Sequence, residues 1–233
     1  MESKTVNLDV NGVSFTLEIR RNPQVRRMRV RIDRMTRRPV LVLNRRTSEK
    51  AGLEFALRNA EWIGRQLALL PEKKVFADGF RFSLLGEDVC IRHSPNARRG
   101  VWLEENIVWV SGREEHLPRR VADFVKESLR TYARRKSAEF AAALDVRIRK
   151  ISIRDTKSRW GSCTKNGDVS LSGRLAFAPR EVLDYVIAHE VAHLRHMDHS
   201  REFWETVAVL VPYYKLAERR LKRETAFLYS FDL

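Results

Sequence analysis

Two cysteines, Cys90 and Cys163, are all the thiols this chain has. They form no CxxC pair, so neither a thiolate zinc site nor a disulfide framework is expected. No apolar run is long enough to span a bilayer, and the opening Met-Glu-Ser-Lys-Thr-Val has no signal-peptide core. A cytoplasmic protein with no membrane partner is therefore expected. Low-complexity tracts are missing and no internal repeat is apparent; a hydrophobic share of 43% indicates a folded globule. Acidic residues run short, with 30 Asp and Glu against 45 Lys and Arg and a formal net charge of +15. Arginine outnumbers lysine 34 to 11. Guanidinium forks match phosphate and carboxylate geometry, which makes DNA or RNA the first anionic partner to consider; a solvated basic face is the alternative.

What the chain does contain is a concentration of histidine. Four of its six histidines fall within His189-Glu-Val-Ala-His-Leu-Arg-His-Met-Asp-His199. His189 and His193 sit four apart inside an apolar run, so on a helix they project from nearly the same face and can share one Zn²⁺, with Glu190 placed to address a water. Two histidines compete as third ligand. On an unbroken helix His199 would lie about 15 Å along the axis from His189, too far to share a metal. His199 binds only if the helix stops soon after His193 and the chain folds back. Met197-Asp198-His199-Ser200 supplies turn residues, and Ser200 can cap a new helix from Arg201. His199 is therefore the preferred ligand, and His196 is given a supporting or packing role.

At 233 residues the chain suits one or two domains. Residues 5–43 alternate as strands: Val6–Val10, an Asn11-Gly12 turn and Val13–Ile19 form a hairpin, and Met28–Ile32 and Val40–Leu43 continue a meander. Residues 20–46 hold eleven arginines. Alternate arginines on a strand share one face, giving either a basic stripe or charged protection of a sheet edge. Ser48 opens a helix to Leu70 with Phe55, Leu57, Trp62, Ile63 and Leu67 as its apolar set, and Pro71 stops it. Gly79–His93 and Val101–Val110 alternate again, so residues 1–115 are expected to be a β-rich N-terminal region with one helix. Residues 116–233 then form a second domain. It has a long amphipathic helix from Pro118 to about Leu144, a strand over Val146–Arg154, a sharp connector at Arg159–Cys163, and a returning strand at Val169–Leu171. Pro179 is placed at the first helical position of the His189 helix. A helix over 201–210 follows, Pro212 breaks or restarts it through Lys222, and the apolar tail Phe227–Phe231 is expected to dock.

Lys157-Ser-Arg-Trp-Gly-Ser-Cys163, Leu183–Ile187, His189-Glu-Val-Ala-His193 and His196–Ser200 with Phe203-Trp204 resemble the YgjP-like metallopeptidase family, itself related to SprT-like and other compact gluzincin-type zinc peptidases. The likeness covers most of residues 5–222; those after about 224 match nothing in it. The resemblance implies an α+β fold in which the HExxH helix of a compact zincin-like domain packs on a short antiparallel sheet. It also implies His189, His193 and His199 as zinc ligands, Glu190 as catalytic base and a polypeptide substrate.

Three imidazoles and an open position describe a catalytic zinc site rather than a structural one. Zinc would bring its water's pKa toward 7, for Glu190 to take the proton and return it to the leaving amine. Tyr185, Tyr213, Tyr214 and Arg159 are the candidates for stabilising the oxyanion. Trp160–Cys163 either forms a substrate-side edge strand or walls the site, and Cys163 is expected to be a packed thiol. Two other readings stand beside the peptidase. A metal-dependent phosphohydrolase acting on nucleotides suits the arginines but lacks the usual carboxylate-rich site. A non-catalytic zinc protein that binds nucleic acid has no use for Glu190.

Overall fold

The computed structural model describes residues 3–10, 12–156 and 159–233. They divide into two compact units, Met1–Glu72 and Lys73–Leu233.

In the first unit β1 (Ser3–Val10), β2 (Val13–Arg21), β3 (Arg29–Asp33) and β4 (Arg38–Leu43) form a sheet, followed by α1 (Glu49–Arg58) and α2 (Ala60–Ala68). Val10 pairs with Val13 across the first turn. Asn11 lies outside the described residues, and Gly12 takes φ +80°, as the second position of a type I′ turn requires. The strand order is β1-β2-β4-β3, with β2 and β4 parallel, and so differs from the expected meander. Val40 to Leu43 are all buried. A strand apolar on both faces belongs in a sheet's interior, so β4 lies inside β3 and pairs with β2. Phe15, Leu17, Ile19, Leu41 and Leu43 pack with Ala56, Ala60 and Ile63 as one core. The expected single helix breaks at Asn59, whose side chain donates to the Phe55 carbonyl at 2.8 Å. Leu57 and Trp62, expected inside, are exposed.

The second unit opens with β5 (Arg81–Leu84), β6 (Glu87–Ser94), β7 (Val101–Glu104) and β8 (Ile107–Ser111), ordered β5-β6-β8-β7 with β6 and β8 parallel. This is the topology of the first sheet again: two hairpins joined through their second strands. The connector after the second strand reads Asn22-Pro-Gln-Val-Arg-Arg27 in the first sheet, and Ser94-Pro-Asn-Ala-Arg-Arg99 stands at the corresponding place in the second.

The long helix α3 (Leu117–Ala143) has Pro118 in its first turn. After it come β9 (Lys150–Arg154), β10 (Gly161–Cys163) and β11 (Asp168–Ser172), then α4 (Arg180–Ala192), α5 (Arg201–Leu210) and α6 (Tyr214–Leu228). The Arg159–Cys163 connector thus ends in an edge strand. The three-stranded sheet, ordered β10-β11-β9, is mixed rather than wholly antiparallel: β11 pairs antiparallel with β10 and parallel with β9. The connector after β9 carries the chain past the middle position to the far edge, and the β10–β11 turn brings β11 back between them. β9 starts at Lys150, not Val146, and Pro179 caps α4 rather than opening it.

One hydrophobic core runs through this unit: Phe82, Leu84, Ile91, Val108 and Val110 join Val121, Val125 and Leu129 of α3 and most of α4. The second sheet therefore belongs with the C-terminal elements, which places the unit boundary at Glu72–Lys73 instead of residue 115. The tail docks. Phe231 stacks on Phe177 with ring centroids 3.8 Å apart, and Lys73 meets Asp232 at 2.7 Å.

Candidate metal centre

α4 is buried along nearly its whole length, from Val182 to Ala188 and again at Glu190 to Ala192. Asp184, inside that run, accepts a hydrogen bond from the Tyr132 hydroxyl at 2.5 Å, tying α4 to α3. Arg220 of α6 pairs with Glu181 in the first turn. The helix is thus fixed along its length, and its last turn presents His189 and Glu190.

It ends at His193. The amides of Leu194 and Arg195 bond back three residues, to the carbonyls of Val191 and Ala192, tightening the chain out of the helix. Asp198 Oδ1 then accepts from the Ser200 amide, and Ser200 Oγ caps α5 by accepting from the Phe203 amide, both at 3.3 Å. This is the fold-back that His199 needs. One nitrogen from each of His189, His193 and His199 lies within 4.8 Å of the others, with His199 Nε2 and His189 Nε2 3.1 Å apart. His193 Nδ1 lies 3.0 Å from the His196 carbonyl, which assigns the proton to Nδ1 and leaves Nε2 a lone pair. His196 contributes this main-chain oxygen and not its ring. Phe203 lies against all three imidazoles, at centroid distances of 4.9 Å to His189, 4.6 Å to His193 and 4.9 Å to His199. Trp204 adds a second contact to His189 and His199. Sequence reasoning assigned Phe203 and Trp204 no part in this floor; their place just inside the Ser200 cap was the available signal.

The residues fit a metal ion. Burial, followed by the neighbouring His193 and His199, brings His189 down to about 4, and burial likewise lowers His193. Both rings are neutral at pH 7 and carry lone pairs, as ligation demands. A donor set of three nitrogens without thiolate suits a borderline divalent ion. His189 Nδ1 is buried and has no hydrogen-bond partner among the described residues.

Glu190 is only 5% exposed. Burial pushes its carboxyl up to about 8, and the charge of Arg159 acts in the opposite direction. β10 passes directly against it: a Cβ at Gly161 would sit 2.6 Å from Glu190 Cγ and closer still to Oε1. The connector to β10 is anchored by the fully buried Arg174, which pairs with Asp155 and lies over the Tyr229 ring at 5.3 Å. Lys157 and Ser158, part of the motif read in the sequence, lie outside the described residues. Cys163 is pushed up to about 11 by burial, with Glu190 and Asp168 adding to the effect, so it is protonated at neutral pH. Of the oxyanion candidates, Arg159 and Tyr185 line a cavity with His189 and Glu190. Tyr213 and Tyr214 do not; Tyr214 stacks on Trp204 at 5.5 Å.

The crystal structure of the metallopeptidase zymogen of Pyrococcus abyssi abylysin aligns with 40% of this chain and 93% of its own, at 22% identity and a TM-score of 0.37, a likeness too loose to argue from. No curated protein matches the chain. The family model described as YgjP-like, metallopeptidase domain, matches residues 26–224, which takes in both units and every residue of the histidine cluster. The chain belongs to the YgjP-like metallopeptidase family.

Proposed function

We propose that this protein is a zinc-dependent peptidase in which His189, His193 and His199 hold Zn²⁺ and Glu190 is the general base. The observation that supports the reading is the convergence of three imidazoles beside one buried carboxyl group at the edge of a cavity. When bound, Zn²⁺ supplies Lewis-acid polarisation and makes a water's proton easier to remove near neutral pH. Glu190 takes that proton on a carboxylate oxygen and delivers it to the leaving amine nitrogen as the peptide bond breaks. The His196 carbonyl holds the His193 ring in the tautomer a ligand needs. Of the four oxyanion candidates, Arg159 and Tyr185 line the same cavity and can donate to a substrate carbonyl oxygen.

The phosphohydrolase reading finds no support in the donor set: among the described residues the one group able to hold a metal consists of three histidines, with no second carboxylate-rich site. Association with nucleic acid through the arginines of residues 20–46 is kept as part of the proposal, since that segment carries eleven Arg and a single Asp.

The test is Glu190→Gln in the zinc-loaded protein, assayed on unfolded polypeptide. Zinc content should stay at one per chain, while hydrolysis falls by about 10²-fold or more through loss of the base. Near wild-type activity in this variant would rule out Glu190 as the base.

A further inference from the structure

Beside His189 and Glu190 lies a cavity of about 300 Å³. It is at the small end of the range for ligand pockets and is sized for one side chain rather than a length of peptide. Trp160 lines it, Val186 lies one turn before Glu190 on α4, and Leu221 and Thr225 contribute from α6. The apolar wall is held in place. Trp160 packs on Tyr229 at 5.1 Å, and Tyr229 in turn lies over the buried Arg174.

Charge does not favour a charged occupant. Two cations, Arg159 and Lys222, and two carboxylates, Glu190 and Glu218, line the cavity. Lys222 donates to Glu218 at 2.6 Å, so that carboxylate already has a counter-ion. With cations and carboxylates equal in number, an entering charge of either sign meets repulsion as well as attraction. What is left to select on is size and apolar surface.

We propose that this cavity receives the side chain of a residue flanking the scissile bond, and that the protein cuts next to large apolar residues such as Phe, Leu and Met. The inference rests on the peptidase reading above. Thr225 is the position to vary, because it lines the cavity from α6, whereas Glu190 and the histidines belong to α4 and the turn after it.

The experiment supplies the zinc-loaded protein with peptides identical except at one position, occupied by Phe, Leu, Ala, Asp or Lys, and locates each cut by mass spectrometry. Phe and Leu should be preferred over Ala by about tenfold or more in kcat/KM at one fixed position relative to the cut, with Asp and Lys below Ala. Thr225→Leu and Thr225→Trp should lower kcat/KM for the Phe peptide more than for the Ala peptide and so remove the preference, and Thr225→Ala should retain it. A second readout is binding of the same peptides, uncut, to zinc-loaded Glu190→Gln, where the Phe peptide should bind more tightly than the Ala peptide and Thr225→Leu should abolish the difference. If the wild type cuts all the peptides alike, or Thr225→Leu leaves the preference intact, the pocket assignment falls and the peptidase reading stands. If the zinc-loaded wild type cuts none of them, both fall together.

Discussion

At the scale of single residues, Gly161 and Glu190 are the pair on which the centre depends. A methyl group at Gly161 would overlap Glu190 at Cγ and at the carboxylate, so any other residue forces Glu190 out of its present position. The three atoms nearest a Cβ at Gly161 all belong to Glu190 and none to a histidine. We therefore expect Gly161→Ala to keep one metal per chain and to lose about 10²-fold in kcat, the scale of a misplaced catalytic group. Metal analysis beside single-turnover rates checks it, and undiminished kcat would show that Glu190 relaxes at no cost. His189, His193 and Glu190 were legible as a set from helical spacing, and His199 from the turn and cap residues that follow. Gly161 was not, because its contact spans two elements far apart in sequence, and a glycine in a connector looks like any turn residue.

Elements decide which histidine completes the set. Had α4 continued past His193, His196 would have stayed near its ligating face and His199 would have moved away. The chain instead turns through Asp198 and restarts at the Ser200 cap, with Phe203 behind all three imidazoles. Ser200→Ala removes the side-chain acceptor for the Phe203 amide and should cost about 1 kcal/mol of stability. Because His199 precedes that cap, part of the loss should appear as weaker zinc binding, by up to about fivefold. Chelator competition and thermal unfolding of the same variant separate the two effects; a lower Tm with unchanged zinc affinity would show that the cap serves α5 alone. The turn residues and cap that predicted this fold-back were visible in the sequence. The β10 segment stayed open between an edge strand and a wall of the site, because three residues are too few to show alternation.

For the molecule as a whole, the arginines are the unresolved charge. β3 registers Arg29 opposite Val42 and Arg31 opposite Val40, so the two do share a face, as alternation required. That face is not uniformly basic. Glu18 takes two hydrogen bonds from Arg20, and Asp33 lies 3.9 Å from Arg31. Arg29, Arg45 and Arg46 form no ion pair among the described residues, and Arg45 and Arg46 line a groove with Arg21. If DNA or RNA is a partner, binding should weaken steeply with salt, and Arg29→Gln, Arg45→Gln and Arg46→Gln together should lower the slope of log affinity against log salt by about one unit per lost phosphate contact. Titration of labelled single- and double-stranded DNA at two salt concentrations reads this out, and no binding at low salt would leave the arginines as solvated surface.

The sequence by itself determined what depends on neighbours along the chain. Two-residue periodicity marked the hairpins, four-residue spacing paired His189 with His193, and turn and cap residues predicted the return of His199. Tertiary structure decided what depends on which elements share a core. Burial on both faces put β4 between β2 and β3, and one continuous core drew the second sheet to α3 and α4 and moved the unit boundary to Glu72–Lys73. The same packing brought β10 and α6 to Glu190 and made the cavity beside it. Local pattern reports the exposure of each residue to water along its own helix or strand, but pairing between distant strands and helices is chosen by the total apolar surface they bury together, and no short window of sequence carries that sum.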